Sequence, residues 1–264
     1  MQYLIRICSL AMILLNLYYS GNAQKQIKPI TIWIIYDNNL YDSRLKPEWG
    51  FSCFIQGTEK TILFDTGGNG STLLSNMEKL KIKPEQVDLI FLSHIHSDHT
   101  GGLLEFLKKN NKVKVFLLQS FPFRCKKDIK NSGAQYIEVK DPNEICKDVF
   151  STGELGISIK EQSLFIKTEK GLVVITGCAH PGIVEIVKKA KKLLNEDIYL
   201  ILGGFHLLNS SEEKIKKIVL EFKKLGVKKV APCHCSGELC QKIFDDEYKQ
   251  DFIKLGAGGK VEVE

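Results

Sequence analysis

The sequence predicts an α/β (α+β) fold in which two mixed β-sheets pack face to face and helices cover both outer faces, a four-layer αββα sandwich. Two strand hairpins, within 51–64 and 163–176, each precede units in which a strand, a loop and a helix follow one another. This order occurs once in each half of the chain. In addition, four apolar runs each end shortly before a loop that contains histidine, as expected for a site along one edge of a sheet.

Length and composition indicate one globular domain. The chain has 264 residues, of which 44% are hydrophobic and 26% charged, and it contains no long linker. The net charge of +6 comes from many lysines on or beside helical patterns. We interpret them as solvated helix faces, because no basic segment interleaved with aromatic residues accompanies them. This excludes nucleic acid as the expected partner.

Residues 1–23 are predicted to be a signal peptide, which leaves 24–264 as the domain. Arg6 gives a short basic start, Ile7–Leu17 is an apolar run, and Gly21-Asn22-Ala23 supplies small residues before cleavage at Gln24. The apolar run is too short for a comfortable membrane span. We therefore expect an exported protein, periplasmic or secreted, without stable membrane insertion after cleavage. An uncleaved N-terminal anchor is the alternative.

In the first half, the apolar patterns predict strands, with helices between them. The expected strands are Ile30–Tyr36, Phe51–Ile55, Thr61–Phe64, Val87–Leu92 and Val113–Leu118. Leu73, Leu74, Met77 and Leu80 have helical spacing, and Pro84 ends that helix. A second helix is expected around Leu103–Leu107, with His99 and Gly101 in its first turn.

The segment 119–160 has the weakest patterns, with a single predicted strand at Tyr136–Val139, and we expect it to border the active site and contact substrate. The later strands are predicted at Ser163–Thr168, Gly171–Thr176, Ile198–Leu202 and Val227–Val230. Three helices are predicted in this half of the chain. One extends from Ile183 to Leu194, and another extends from Glu238 to Phe244. Between them, a helix begins at Ser210-Ser211-Glu212-Glu213, which has the pattern of a capping box.

The segment Ser93–Gly102 follows a buried strand and has the pattern H-x-H-x-D-H. His94 and His96 are two residues apart, so in a near-extended segment their side chains point the same way. Converging imidazole nitrogens suit a borderline-soft divalent cation such as zinc. Asp98 and His99 can turn toward a second point, as in two-metal sites whose ions lie about 3.5–4 Å apart. The alternative, a polar surface loop, is disfavoured because three of the six histidines lie here.

The other three histidines, His180, His206 and His234, each follow a separate apolar run. Three strand ends that each supply one histidine to a loop indicate one shared site. No histidine is left for an ordinary structural role. We therefore expect all six to belong to one metal centre.

The cysteines do not form a metal-binding pattern of their own. Of eight, Cys8 is lost with the signal peptide, and the odd remainder leaves at least one thiol free or metal-bound in an oxidising compartment. Cys178, Cys233 and Cys235 flank histidines. We interpret them as groups behind the ligands, Cys178 and Cys233 in particular, or as small buried hydrophobes, with a ligand role as the alternative. Disulfides among Cys53, Cys125, Cys146 and Cys240 cannot be assigned from the sequence.

Together these motifs resemble the metallo-β-lactamase superfamily, with its HxHxDH loop, Asp-Thr-Gly-Gly upstream and three later histidine loops. Segments 49–52, 161–164, 177–183, 203–207 and 232–237 resemble the branch of 7,8-dihydropterin-6-yl-methyl-4-(β-D-ribofuranosyl)aminobenzene 5'-phosphate synthase. The resemblance extends from about Ile30 to Gly259 and implies a metallo-β-lactamase-like fold. The branch's named activity joins a dihydropterin pyrophosphate to a ribofuranosyl-aminobenzene phosphate.

The resemblance also implies the ligand sets of one or two divalent metal ions. Zinc is expected first, with manganese and iron as alternatives. We assign metal 1 to His94, His96 and His180, and metal 2 to Asp98, His99 and one or both of His206 and His234. Asp98 is the predicted catalytic residue. Asp65 would orient a ligand histidine from behind, and its alternative role is a turn cap. Many hydrolases of the superfamily have a bridging aspartate where this chain has Gly203–His206, and its absence disfavours lactonase-like and glyoxalase-II-like activities.

Three functional hypotheses follow. The first is a metal-dependent transferase or hydrolase that acts on a phosphorylated or pyrophosphorylated small molecule. The second is a secreted metallo-β-lactamase or related hydrolase, which the predicted export favours because pterin precursors are cytosolic. The third is a non-catalytic metal-binding protein, which the open metal positions disfavour.

Overall fold

The structure is a computed structural model that describes residues 29–264, so the predicted signal peptide lies outside the described residues. Two mixed sheets form its centre. The strands are β1 (Ile30–Tyr36), β2 (Ser52–Gln56), β3 (Ile62–Phe64), β4 (Leu89–Phe91), β5 (Lys114–Leu118), β6 (Gln135–Val139), β7 (Asn143–Cys146), β8 (Val149–Ser151), β9 (Leu164–Thr168), β10 (Gly171–Thr176), β11 (Ile198–Gly204), β12 (Lys229–Cys233) and β13 (Lys260–Val263). The helices are α1 (Gly70–Lys79), α2 (Ser97–Thr100), α3 (Leu103–Lys109), α4 (Phe123–Asn131), α5 (Ile183–Leu194), α6 (Glu212–Lys224) and α7 (Glu238–Tyr248).

The two sheets repeat one arrangement. The first has the order β13-β1-β2-β3-β4-β5-β6, and the second has the order β12-β11-β10-β9-β8-β7. In the first sheet the antiparallel strands β13 to β3 lead into the parallel run β3 to β6. In the second sheet the antiparallel strands β7 to β10 lead into the parallel run β10 to β12. The carboxyl ends of the parallel strands therefore provide two sets of loops, one from each half of the chain.

Three apolar clusters produce the layers. The central cluster joins both sheets, with Phe64 and Phe91 from the first and Ile175 and Leu202 from the second. A second cluster packs helices α5, α6 and α7 on the outer face of the second sheet, and a third packs α1, α3 and α4 on the first. The order is helix, sheet, sheet, helix, which confirms the predicted αββα sandwich.

The helix expected after the HxHxDH loop is two helices. His99 lies in the short helix α2, and α3 begins only at Leu103. The break arises because the backbone N–H of Gly102 donates to Gly67 O at 3.2 Å, outside the helix. This contact connects the end of the HxHxDH loop to the turn that follows β3.

The segment 119–160 mostly builds the fold. The strand predicted at 136–139 is β6, whereas helix α4 and strands β7 and β8 were not predicted, because such short elements carry little periodicity. β6 forms one edge of the first sheet and β7 one edge of the second. The segment approaches the histidine loops in two places. A Cβ at Gly156 would lie 3.5 Å from Pro181 Cγ, and residues at the start of helix α4, Pro122 and Cys125 among them, line a cavity together with Ile95 and Thr100 of the HxHxDH loop. Substrate contact by this segment stays a prediction.

The cap of helix α6 also differs from the prediction. Ser211 is the N-cap and accepts a hydrogen bond from Lys214 N at 3.3 Å. Because Lys214 rather than a glutamate occupies the third helical position, the reciprocal half of a capping box is absent at this helix. The register places the Lys214 side chain near the start of the helix. Lys214 also lines the cleft that is described in the next subsection.

The lysines of the helices make local ion pairs. In α6, Lys216 pairs with Glu212 and Lys217 with Glu213, one turn apart. In α5, Lys188 pairs with Glu185. These contacts agree with solvated helix faces. Within residues 29–264, no helix has both the length and the apolar character needed to cross a membrane.

Candidate metal centre

Histidines from both sheets meet at the carboxyl ends of the parallel strands. His94 and His96 follow β4, while His180, His206 and His234 follow β10, β11 and β12. Parallel pairing of β10, β11 and β12 aligns the last three strand ends side by side. The structure therefore brings residues far apart in the sequence into one centre.

The first ligand group consists of His94, His96 and His180, the set assigned to metal 1 from the sequence. His94 Nε2 lies 3.1 Å from His96 Nδ1. Around a zinc ion with Zn–N distances of about 2.0–2.1 Å, the nitrogens of a tetrahedral site are about 3.3 Å apart. His180 Nε2 is buried and has no hydrogen-bond partner among residues 29–264. An unpartnered buried nitrogen beside two others fits a bound cation.

The second group consists of Asp98, His99, Cys178 and His234. The Nε2 atoms of His99 and His234 are 3.2 Å apart. Asp98 Oδ2 lies 3.6 Å from His99 Nε2 and 3.4 Å from His234 Nε2. These separations are those of ligands around one small cation. His234, rather than His206, thus stands with Asp98 and His99.

Cys178 lies among the ligand atoms, whereas the sequence suggested a place behind them. Its Sγ is 3.2 Å from His99 Nε2 and 3.5 Å from His234 Nε2. A ligand role was only the alternative from the sequence, because Cys178 is two residues from His180 and the pair has no metal-binding spacing. The thiol reaches the second group because Ala179 turns the loop with a positive φ of 62°.

Hydrogen bonds from behind fix which nitrogens of two histidines face the centre. Asp65 Oδ2 accepts from His99 Nδ1 at 2.7 Å, so that in the neutral imidazole it is Nε2 that offers a lone pair to the centre. Ser93 Oγ donates to Asp65 Oδ2 at 2.7 Å, and it therefore accepts from His94 Nδ1 at 2.9 Å. Asp65 thus orients one histidine directly and a second through Ser93. The contact with His99 is compatible with the orienting role that the resemblance implied for Asp65, and that role stays a prediction.

His234 is held by residues at the end of β1 that the sequence did not reveal. Its backbone N–H donates to Asp37 Oδ2 at 3.0 Å, and its Nδ1 lies 3.0 Å from Asn38 Oδ1. Burial raises the pKa of Asp37 to about 6. Cys233 is fully buried in the central core, and its thiol contacts Asp37. Cys233 therefore contacts Asp37, which holds the backbone of His234, rather than a candidate ligand side chain.

Glu161 lies in one of the segments that carry the resemblance, but the sequence assigned it no role in the site. Its fully buried carboxylate accepts hydrogen bonds from the backbone N–H groups of Cys178, Ala179 and His180, at 2.9, 2.8 and 2.8 Å. Burial raises the pKa of the Glu161 carboxyl group, and these hydrogen bonds oppose that shift. One side chain thereby holds the loop that supplies both Cys178 and His180.

His206 stands apart from the second group. It is exposed, its ring centroid lies 4.4 Å from that of His180, and its ligand atom groups with those of Cys178 and Cys235.

The absence of a bridging carboxylate in this loop also has a steric reason. A Cβ at Gly204 would lie 2.7 Å from Cys235 Sγ and 2.3 Å from Gly177 O. Sulfur and backbone occupy that space.

The charge states suit cation binding. Burial lowers the pKa of His94, and burial together with the neighbouring His206 and His96 lowers the pKa of His180 to about 4. Burial favours the neutral form of Asp98, but the hydrogen bond to His234 and the charge of His99 outweigh it and hold the pKa of Asp98 well below its usual range. At neutral pH these imidazoles are neutral and the carboxylate is ionised, which are the forms that bind metal.

A cleft of about 420 Å³ opens beside the two ligand groups. Its lining consists of Trp49, His206, Leu208, Asn209, Ser210, Lys214 and Cys235. The Trp49 ring lies 4.9 Å from the His234 ring, measured between centroids, so the cleft begins at a metal-ligand candidate. A small molecule in this cleft lies next to the centre.

The sequence and the fold match known proteins. The pattern of the Metallo-beta-lactamase superfamily matches residues 50–159. The 7,8-dihydropterin-6-methyl-4-(beta-D-ribofuranosyl)-aminobenzene-5'-phosphate synthase of Methanocaldococcus jannaschii is 34% identical over 267 residues, covering 83% of this chain and 91% of the relative. An uncharacterized protein of the same organism is 32% identical over 238 residues, covering 78% of this chain and 90% of its own length. The crystal structure of Tm1679, described as a metal-dependent hydrolase of the beta-lactamase superfamily, superposes with a TM-score of 0.78 at 31% identity and covers 89% of this chain and 99% of that one.

Proposed function

The chain belongs to the metallo-beta-lactamase superfamily and is a metal-dependent transferase or hydrolase of it, and we propose that its substrate is a phosphorylated or pyrophosphorylated small molecule. The observation that carries the proposal is the adjacency of two cation-binding groups and a cleft lined by Lys214. The phosphate group in the proposed substrate is supported by the name of the synthase relative. The superfamily membership and the named relatives disfavour the non-catalytic alternative.

We propose zinc as the ion, one or two per chain, with manganese and iron as alternatives. His94, His96 and His180 would hold the first ion, and Asp98, His99, His234 and Cys178 the second. Imidazole and thiolate donors suit zinc, whereas manganese prefers carboxylate, carbonyl and water ligands. Bound in such a site, divalent cations polarise phosphoryl oxygens and lower the pKa of water.

The chain's own residues then position the reaction. Asp65 and Ser93 hold His94 and His99 in one tautomer, and Glu161 fixes the loop of His180. Asp98 keeps its carboxylate ionised at neutral pH, so in this proposal it accepts a hydrogen bond from the attacking hydroxyl group and orients it. His206, exposed at the cleft, donates a hydrogen bond to the substrate.

A direct test compares substrates. The purified protein, loaded with zinc, manganese or iron in turn, is assayed against a phosphodiester, a phosphomonoester, a pterin pyrophosphate and a chromogenic cephalosporin. We expect turnover of a phosphate compound and little of the cephalosporin, because divalent cations stabilise the anionic oxygens of a phosphoryl group more strongly than a neutral lactam carbonyl. Efficient cephalosporin turnover, with kcat/KM above about 10⁴ M⁻¹s⁻¹ and no phosphate-ester cleavage, would establish the secreted lactamase alternative instead.

We also propose that the protein is exported and begins at Gln24 after cleavage. The support is the apolar run Ile7–Leu17 followed by Gly21-Asn22-Ala23. N-terminal sequencing of the native protein decides between cleavage and an uncleaved anchor. An intact Met1 on cytoplasmic protein contradicts export.

A further inference from the structure

The thiols of Cys178 and Cys235 approach each other across strand β11. Cys178 follows β10 and Cys235 follows β12, and their sulfurs lie within 4.8 Å of each other. β11 lies between those two strands in the sheet, but its Gly204 has no side chain to keep the thiols apart. A Cβ at that glycine would lie 2.7 Å from Cys235 Sγ and 3.2 Å from Cys178 Cα. The two cysteines therefore meet in the space that Gly204 leaves.

Hydrogen bonds hold the backbone of each cysteine. Cys178 N donates to Glu161 Oε1 at 2.9 Å. Cys235 O accepts from the backbone N–H groups of Leu207 and Leu208, at 3.2 and 3.1 Å. A disulfide bond is about 2.05 Å long, so the sulfurs must come closer before they can bond. Because the backbone is held on both sides, rotation about the Cα–Cβ bonds supplies this movement.

The cleft gives a small oxidant access to one of the two sulfurs. Cys235 lines the cleft together with His206, whereas Cys178 is not part of that lining. Of the seven cysteines among residues 29–264, these are the two that occur in candidate ligand groups. Cys53 and Cys233 lie in the central apolar cluster, and Cys240 lies in the cluster beneath helix α7. A reagent that enters the cleft therefore reaches Cys235 first.

The sulfur of Cys178 has two alternative partners. In the structure it lies 3.2 Å from His99 Nε2 and 3.5 Å from His234 Nε2, where a thiolate belongs to the second ligand group. The thiolate is the metal-binding form of cysteine, and a disulfide removes it. A bound ion and a disulfide at Cys178 therefore exclude each other, and each weakens the other by the same factor.

We infer that Cys178 and Cys235 form a reversible oxidation site, with a peroxide as the oxidant, and that this site controls binding of the second ion. The Cys235 sulfur attacks one peroxide oxygen and becomes a sulfenic acid, and the first water molecule leaves. The Cys178 sulfur then attacks the Cys235 sulfur, and the hydroxyl group leaves as the second water molecule. In total, two thiols and one hydrogen peroxide give one disulfide and two water molecules. This inference goes beyond the proposed function, because it concerns the two thiols and not the substrate.

The test is peptide mapping of the metal-free and the zinc-loaded protein after treatment with hydrogen peroxide. In the metal-free protein we expect the loss of two of the seven thiols and a pair of peptides joined through Cys178 and Cys235. Free zinc at ten times its dissociation constant should slow formation of this link about tenfold, because about one site in ten is then empty. The linked protein should bind one zinc ion fewer per chain, and a phosphine reductant should restore that ion.

Two variants separate this pair from oxidation in general. Cys235→Ser keeps Cys178 in the second ligand group but removes its partner. It should bind zinc as the parent does, form no link and keep the second ion through the same exposure to peroxide. Cys125→Ser is the matched control, because Cys125 is half-buried and lies outside the candidate groups. It should form the link and lose the second ion as the parent does, and circular dichroism establishes that both variants are folded.

The outcomes are distinct. A link from either cysteine to Cys233 or Cys240, or oxidation of thiols without any link, overturns the inference, and the parent protein alone decides this. A Cys178–Cys235 link with zinc content at the parent value contradicts control of the second ion. Phosphoester turnover by the reduced, zinc-loaded parent tests the proposed function separately, since that measurement does not depend on the link.

Discussion

The carboxylate of Glu161 accepts a hydrogen bond from the backbone N–H of His180, and Oε2 lies 2.8 Å from that nitrogen. Oε1 accepts from the two preceding N–H groups, those of Cys178 and Ala179. Of these three residues, His180 belongs to the first ligand group and Cys178 to the second. A single carboxylate that belongs to neither candidate ligand group therefore sets the relative position of the two groups.

The first prediction concerns this carboxylate. Glu161→Gln replaces one acceptor oxygen by an amide N–H₂ that faces backbone donors, so the loop must shift and both groups lose alignment. We expect the zinc dissociation constants of both sites to rise about ten- to a hundredfold, the range for lost supporting contacts. Competition with a chromogenic chelator measures them.

The control is Glu185→Gln on helix α5, whose carboxylate pairs only with Lys188 at the surface. It should bind zinc as the parent does. Unchanged zinc affinity in a folded Glu161→Gln protein would show that the loop holds its shape without this side chain.

The second prediction concerns the thiol of Cys178. If Cys178 is a ligand, the cobalt-substituted protein shows a sulfur-to-cobalt charge-transfer band in the near ultraviolet. Cys178→Ser should abolish the band, because its oxygen cannot supply that transition, whereas Cys125→Ser, outside the candidate ligand groups, should keep it. A band that survives in the Cys178→Ser protein assigns the sulfur to another residue, such as Cys235.

The third prediction separates His206 from His234. His234→Ala removes a nitrogen 3.2 Å from His99 Nε2 and should lower the metal content by one ion per chain. His206→Ala removes an exposed ring outside that group and should leave the metal content unchanged while lowering turnover. Elemental analysis of both dialysed proteins compares them directly. Metal loss in both variants would mean that His206 is a ligand.

The fourth prediction concerns metal removal. Ligands that bind the folded protein and not the unfolded chain stabilise it, by about 4 kcal/mol at a concentration one thousand times the dissociation constant. We expect chelation to lower Tm by about 8–16 °C, since each kcal/mol shifts Tm by about 2–4 °C for a domain of this size. The doubly substituted His96→Ala, Asp98→Ala protein should hold less metal, remain folded and show little further shift with chelator. Equal metal content in that variant contradicts the ligand assignment.

Much of the centre was predictable because its ligands have local signals. His94, His96, Asp98 and His99 lie within six residues, and the other histidines each follow an apolar strand. The hairpins and parallel strands were predictable for the same reason, since each is a continuous apolar run. Hydrophobic periodicity and close spacing are properties that a sequence carries by itself.

The supporting residues lack such signals. Asp37 and His234 are 197 positions apart, and nothing near Asp37 marks it as a partner of a histidine loop. Strand β13 was not predicted either, because its alternation of lysine and glutamate with valine resembles an exposed segment. It becomes a strand only because the edge of β1 pairs with it. Contacts of this kind are decided by tertiary structure.

Each candidate ion draws ligands from both halves of the chain. His94 and His96 come from the first sheet and His180 from the second, and likewise Asp98 and His99 from the first with Cys178 and His234 from the second. A bound ion therefore links two layers that are otherwise held together by apolar contacts and by hydrogen bonds such as that from Gln162 Nε2 to Leu92 O, at 2.8 Å. Sliding or parting of the sheets must break coordinate bonds, so ion escape and hydrogen exchange in the innermost strands should share one rate-limiting opening.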